Sequence, residues 1–131
     1  MANQKKLKLT GFKFKPFSKK QMKVLTYWQD NSPVSDKFLL VADGSVRSGK
    51  TICCSLSFVL FVMDTFNGMN AAMVGRSSGA LRRNVVNTLK QMLLAMGYDC
   101  VDHRADNYLE ITKNEITNLF WLFGAKSLAL L

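Results

Sequence analysis

The sequence has few of the residues that build metal centres and disulfide frameworks. Its 131 residues include three cysteines and a single histidine, His103. Cys53 and Cys54 are neighbours, Cys100 stands alone, and no Cys-x-x-Cys spacing occurs. These features exclude a structural zinc site and a disulfide scaffold, and they indicate small buried thiols in a reducing compartment.

Long apolar runs are also missing. The longest, residues 52–63, includes two serines and is shorter than the ~20 residues that cross a bilayer. No apolar segment follows the N-terminal lysines, so the sequence has no secretory signal. With 48% hydrophobic residues and only 2 prolines, the composition is that of a globular protein. Because neither a membrane span nor a secretory signal is evident, we expect no membrane partner and a cytoplasmic location.

Acidic residues are scarce at the start of the chain. The net charge is +9, and eight lysines fall within the first 23 residues without one acid among them. The remainder of the chain is therefore almost neutral. We assign residues 1–16 to a basic N-terminal arm and residues 17–131 to a partial domain. The arm is either a solvated tail or a contact for nucleic acid or another acidic surface.

The order of predicted elements indicates an α/β fold. Ser18 is placed to cap a helix that extends to Asp30, and residues 38–42 form an apolar run typical of a buried parallel strand. A helix over residues 49–66, a strand over 71–74 and an amphipathic helix over 81–96, capped by Gly97, follow. Strands over 108–112 and 116–123 suggest a C-terminal β-hairpin. We expect a mostly parallel sheet with flanking helices.

One motif indicates chemistry. Residues 44–51 match G-x-x-x-x-G-K-[ST], between an apolar strand and a helix, as in a phosphate-binding loop of a P-loop NTPase. The predicted nucleotide ligands in it are Gly44, Ser45, Val46, Arg47, Ser48, Gly49, Lys50 and Thr51. The glycines let backbone N–H groups approach the phosphates, Lys50 supplies positive charge, and the Thr51 hydroxyl is a ligand for Mg²⁺. The loop accepts ATP or GTP equally.

Two upstream residues bear on the choice of base. Gln21 carries an amide that can donate to N7 and accept from N6–H of adenine, and Phe17 is an aromatic side chain close by in sequence. Together they predict an adenine contact and hence ATP as the cofactor. The alternative is an ordinary capped surface helix.

Arginines offer further candidates. Arg47 lies inside the loop and, together with Lys50, is a candidate catalytic residue. Its guanidinium either reaches a γ-phosphate or a neighbouring subunit, where it would stabilise transferred charge. The alternative is that Arg47 points to solvent or pairs with a structural carboxylate. Arg76, Arg82 and Arg83 are either a subunit or DNA interface or, the reading we favour, a solvated helix face.

Hydrolysis requires a carboxylate at the end of a second buried strand, the Walker B position. None of the nine acidic residues has that context: Asp43 follows the strand that feeds the loop itself, and the others lack the preceding apolar strand. The sequence therefore predicts a P-loop domain that is incomplete, and efficient hydrolysis by this chain alone is not expected.

Six segments of the sequence together resemble one known protein family. Residues 17–21, 43–51, 74–76, 81–85, 107–111 and 123–126 are similar to the beginning of a phage terminase large subunit of the PBSX type. The resemblance implies the N-terminal part of an ATPase motor for viral DNA packaging, truncated before Walker B and without a nuclease domain, in the cytoplasm of a bacterial host. It also implies Gln21 as an adenine contact and, as partners, double-stranded viral DNA, the portal protein, the terminase small subunit and like subunits.

Two other functions stay open at this stage. A small P-loop nucleotide kinase would share the loop, although no lid or second nucleotide site is evident. A non-catalytic remnant that binds nucleotide or DNA through the basic arm would share both the loop and the charge.

Overall fold

The structure, a computed structural model, describes residues 17–37 and 49–125. The basic arm, the predicted strand over 38–42 and most of the phosphate loop lie outside these residues. The described elements, in chain order, are α1 (Lys19–Thr26), α2 (Lys50–Thr65), β1 (Asn70–Gly75), α3 (Ser78–Leu81), a π-helical turn (Arg82–Val86), α4 (Asn87–Ala95), β2 (Asp99–His103), β3 (Tyr108–Lys113) and β4 (Ile116–Gly124).

The four described strands form one sheet in the order β1-β4-β3-β2. β1 pairs with β4 in parallel, whereas β3 pairs with β4 and β2 with β3 in antiparallel fashion. The β3–β4 hairpin turns through Asn114 and Glu115, which both have positive φ, 51° and 67°. Two such residues are the mark of a type I′ turn, whose twist suits antiparallel strands. The predicted hairpin is confirmed.

The core lies on one face of this sheet, under the helices. Alternate residues of β3 and β4 point into it, as the period of a strand requires. Buried side chains of α2, the π-helical turn and α4 cover them. The fully buried members include Leu56, Val59, Val86, Leu89, Leu93, Leu109, Ile111 and Phe120. On the opposite face, three rings contact one another across the strands: His103 stacks on Tyr108 with the centroids 4.4 Å apart, and Tyr108 lies tilted against Trp121 at 4.7 Å.

The mixed α/β class predicted from the sequence is confirmed, but the described strands are not mostly parallel. Only the β1–β4 pairing is parallel, because short connections join β2, β3 and β4 and permit only antiparallel neighbours. β2 itself was not predicted. The first helix ends at Thr26 rather than Asp30, and turns follow it to Asp36.

The helix ends follow their capping residues. Gly97 has φ 90°, and it ends α4 in a Schellman motif: Gly97 N–H donates to Leu94 C=O, and Tyr98 N–H donates to Leu93 C=O. The predicted role of Gly97 as a C-terminal cap is therefore confirmed. Within residues 17–37 and 49–125, none of the helices combines the length and the apolar character that a membrane span needs.

Candidate nucleotide-binding site

The amino end of α2 carries the described part of the phosphate-loop motif. Gly49 is the N-cap residue with φ 78°, a left-handed conformation in which only glycine is unstrained. Lys50 is the first residue of the helix, and Thr51, the second, is exposed to solvent. Gly44, Ser45, Val46, Arg47 and Ser48 lie outside the described residues. Their predicted roles stay predictions.

This end of α2 favours an anion. The helix is 16 residues long, its first turn contains no acidic residue, and its N-cap glycine offers no side-chain hydrogen bond. The first turn of a helix leaves backbone N–H groups without intrahelical partners, and the helix dipole adds partial positive charge there. Phosphate oxygens are suitable partners for both.

Gln21 lies against this end of the helix. A Cβ atom placed on Gly49 would stand only 2.9 Å from Gln21 Nε2, so the amide occupies the space that any side chain at position 49 would need. The two residues are far apart in sequence, and only the fold brings them together. Gly49 is thus required twice, for its backbone conformation and for the approach of the Gln21 amide.

A capping box holds Gln21 at the start of α1. Ser18 Oγ accepts a hydrogen bond from Gln21 N–H at 3.2 Å, and Gln21 Oε1 accepts one from Ser18 N–H at 2.9 Å. These two bonds satisfy groups that a helix start leaves unpaired. The prediction from sequence named Ser18 as the cap but not Gln21 as its partner, although Ser followed three residues later by Gln is the sequence signature of a capping box.

The packing of α1 along α2 sets this contact. Leu25 is buried in the core, and Ser57 Oγ of α2 donates to Val24 C=O at 2.7 Å. Further along, Trp28 meets Phe61 edge to face with the ring centroids 5.7 Å apart. From Gln21 to Val24 to Trp28, the partners on α2 follow in the same order, from Gly49 to Ser57 to Phe61. The α1 segment and α2 therefore run in the same direction. Their amino ends, with Gln21 and Gly49, lie side by side.

Phe17, the other predicted base contact, is half-buried and packs against the hydrophobic core. At least part of its ring is therefore used for packing. Residues 17–37 and 49–125 contain no group of three or more His, Cys, Asp or Glu side chains that could hold a metal ion. Within the described residues, a metal at this site would be held by Thr51 together with the nucleotide's own oxygens.

Arg82 has a role that the sequence did not predict. Its guanidinium donates to both carboxylate oxygens of Asp102, from Nη2 at 2.9 Å and from Nε at 3.4 Å, and its Nη1 donates to Asn107 Oδ1 at 2.8 Å. The Arg82 and Asp102 side chains are only 12% and 6% exposed. The predicted solvated face is therefore wrong for Arg82, although Arg76 and Arg83 are exposed.

The pKa of Asp102 reflects this pairing. Burial alone raises the pKa of the carboxyl, but the hydrogen bond and charge of Arg82, with help from Lys90 and Arg104, bring it below its ordinary value. Burial raises the pKa of the Cys100 thiol, two residues away, to about 11, and the nearby charge of Lys90 offsets only part of this rise. Cys53 is buried, whereas Cys54 and Cys100 are half-buried, so the expectation of buried thiols is met in full by Cys53 alone.

Known structures give the site its context. The large terminase of a thermophilic bacteriophage is 56% identical to this chain, with a TM-score of 0.83 over 88% of the chain. The chain belongs to the phage large terminase family. The resemblance in the sequence motifs is thereby confirmed. No protein-family model and no curated protein sequence matches the chain.

The large terminase of this thermophilic phage has also been solved with nucleotides. Its complex with ADP matches with a TM-score of 0.82 and 56% identity, covering 86% of this chain and 29% of that one. Its complex with ATP-γ-S matches with a TM-score of 0.81 and 60% identity, covering 83% and 28%. The present chain spans less than a third of the length of the large terminases it matches.

Proposed function

We propose that this chain binds ATP at the amino end of α2, as the N-terminal nucleotide-binding part of a large terminase, the ATPase motor of viral DNA packaging. The approach of the Gln21 amide to Gly49 supports the proposal, because the residue predicted to contact the base lies beside the described end of the predicted phosphate loop. The complexes of the thermophilic phage terminase with ADP and ATP-γ-S support nucleotide binding in a close relative.

Each described residue has a place in this proposal. Gly49 and the first backbone N–H groups of α2 receive phosphate oxygens, and Lys50 neutralises their charge. Gln21 contacts adenine. The Thr51 hydroxyl is exposed and chemically suited to Mg²⁺, which would neutralise charge on the β- and γ-phosphates. The roles of residues 44–48, with Arg47 toward the γ-phosphate or a neighbouring subunit, are proposed from the sequence motif alone.

The proposal is limited to binding. Transfer of the γ-phosphoryl group to water needs a carboxylate that holds the metal and another that orients the water. No acidic residue of this sequence has the context of a Walker B strand, and Asp102 is already engaged by Arg82. The partners proposed by family are double-stranded viral DNA, the portal protein, the small terminase subunit and like subunits, with the basic arm as a DNA contact.

Isothermal titration of the chain with ATP tests the proposal. Lys50→Ala is expected to lower ATP affinity by about tenfold or more, the usual worth of a hydrogen bond to a charged group, while circular dichroism stays unchanged. Lys90→Ala, on α4 and outside the motif, serves as the matched control and should bind ATP like the parent chain. Equal affinity in the parent chain and Lys50→Ala would contradict the phosphate site.

A further inference from the structure

We propose that Ser18 is a positioning residue for recognition of the nucleotide base, because its capping box fixes the orientation of the Gln21 amide. The inference rests on the proposed nucleotide site and deepens it. It assigns the ATP preference to the coupled pair Ser18 and Gln21 rather than to Gln21 alone.

The hydrogen bonds determine which end of the amide faces the phosphate loop. Ser18 N–H is a donor and can pair only with the oxygen of the carboxamide, so Oε1 is held there at 2.9 Å. Nε2 is consequently turned toward Gly49, where it lies 2.9 Å from the position of a Cβ. The opposite orientation would place an NH₂ group against an N–H group and lose the bond.

The fixed amide is complementary to adenine. Adenine presents an acceptor at N7 beside a donor at N6, whereas guanine presents two acceptors, N7 and O6. The Gln21 Nε2 group can donate to N7 of adenine. A carbonyl oxygen can accept two hydrogen bonds, so Oε1 can accept from Ser18 N–H and also from N6–H of adenine. Guanine would place O6 against Oε1. Holding the amide in advance also lowers the entropy lost when the base binds.

Two substitutions separate the bonds of the capping box. Ser18→Pro removes both the N–H that holds Oε1 and the hydroxyl, and its ring suits the observed φ of −67°; its difference from Ser18→Ala therefore reports the N–H bond. Ser18→Ala removes only the hydroxyl and keeps the N–H. We expect Ser18→Pro to lower ATP affinity roughly three- to tenfold, the worth of one hydrogen bond, with a smaller loss for Ser18→Ala. Thr26→Val, which removes the Thr26 hydrogen bond to Met22 C=O near the other end of α1, is the control.

The choice of ligands distinguishes positioning from a merely structural role. Affinities are measured by calorimetry for ATP, GTP and inorganic tripolyphosphate, which has no base. Both Ser18 variants should bind tripolyphosphate like the parent chain and should lose ATP affinity more than GTP affinity. Equal losses for all three ligands would mean that Ser18 only stabilises the helix start, and would overturn the inference. If Ser18→Pro does not fold, Ser18→Ala is compared with the parent chain on the same three ligands; it removes the bond from Gln21 N–H, one of the two that hold Gln21, so the same order of losses is expected at smaller size.

A double-mutant cycle with Gln21→Ala completes the test. If Ser18 acts through Gln21, Ser18→Pro should have no further effect on ATP affinity in the Gln21→Ala background. Additive losses would overturn the inference while leaving the phosphate site intact. Failure of the parent chain to bind either ATP or tripolyphosphate would instead overturn the proposed function, and the inference with it.

Discussion

The two ends of α2 are built in opposite ways. At its carboxyl end, the fully buried Asn118 of β4 donates to Phe66 C=O and accepts from Met69 N–H, both at 3.0 Å. Asn67 Oδ1 accepts from Thr117 N–H, and Gly68 N–H donates to Thr117 C=O. At its amino end, the cap is a glycine in a left-handed conformation that provides no side-chain hydrogen bond.

The difference separates what holds the fold from what serves a ligand. Backbone groups at the carboxyl end are paired within the molecule, so they stabilise the joint between α2 and the sheet. At the amino end the backbone has a conformation that suits only glycine, and the side-chain cap that Ser, Thr, Asp or Asn would supply is absent. Departures of this kind from local rules are expected at functional sites.

The largest expected effect on stability is at the carboxyl end. Asn118→Ala should lower the free energy of unfolding by about 3 kcal/mol, because it empties a fully buried position and leaves the partly buried Phe66 carbonyl and Met69 N–H without their partners. Urea denaturation measures the loss, and Asn87→Ala, at an exposed position of α4, is the control. A change below about 1 kcal/mol would contradict the structural role of Asn118. The affinity for ATP should not change.

The ion pair of Arg82 with Asp102, at the β2 edge of the described sheet, is a second group of polar side chains that are paired within the molecule. Asp102→Asn should lower the free energy of unfolding by about 2 kcal/mol at neutral pH, because Arg82 then loses the charge of its partner in a largely buried site. Asp36→Asn is the control: Asp36 is exposed, its ion pair with Lys37 is solvated, and no measurable change is expected.

The pH dependence of this loss has a defined direction. The pKa of Asp102 is lower in the folded chain than in the unfolded chain. Its ionisation therefore stabilises the fold fully above the ordinary carboxyl range near about pH 4, and the contribution disappears as the pH falls through the folded pKa. The stability difference between the parent chain and Asp102→Asn should shrink as the pH falls below about 4. A difference that stays constant below that pH would contradict the pairing.

Much of the fold was predictable because its signals are local. The apolar period of the helices and the glycine cap at Gly97 depend on residues close together in sequence. The β3–β4 hairpin was predicted from its two apolar runs, although the positive φ of Glu115 has no sequence signal of its own.

The missed features depend on distant contacts. β2 includes the polar residues Asp99, Asp102 and His103, and it is a strand through its pairing with β3. Arg82 pairs with the charge of Asp102, whose side chain is largely buried there. Asn118 similarly occupies a core position that the pattern of β4 would assign to an apolar side chain. The pairing of Gln21 with Gly49 follows from the packing of α1 on α2, which no spacing in the sequence encodes.

The smallest expected stability effect is at the amino end, where Gly49→Ala should cost about 1 kcal/mol because an L-residue is strained at φ 78°. Gly68→Ala is a matched control, since Gly68 has φ 74° and open space around its Cβ position. The two variants should therefore lose similar stability in urea denaturation. Only Gly49→Ala must also displace the Gln21 amide, so only it should weaken ATP binding.

The difference between these two glycine variants separates an effect at the nucleotide site, which includes the Gln21 contact and the Gly49 backbone, from backbone strain alone. We expect Gly49→Ala to lower ATP affinity by about tenfold and Gly68→Ala to leave it unchanged, as measured by calorimetry. If both variants lose ATP affinity equally, general destabilisation explains the loss, and the two ends of α2 do not differ in function. If neither loses affinity, the Gln21 amide is not part of the nucleotide site.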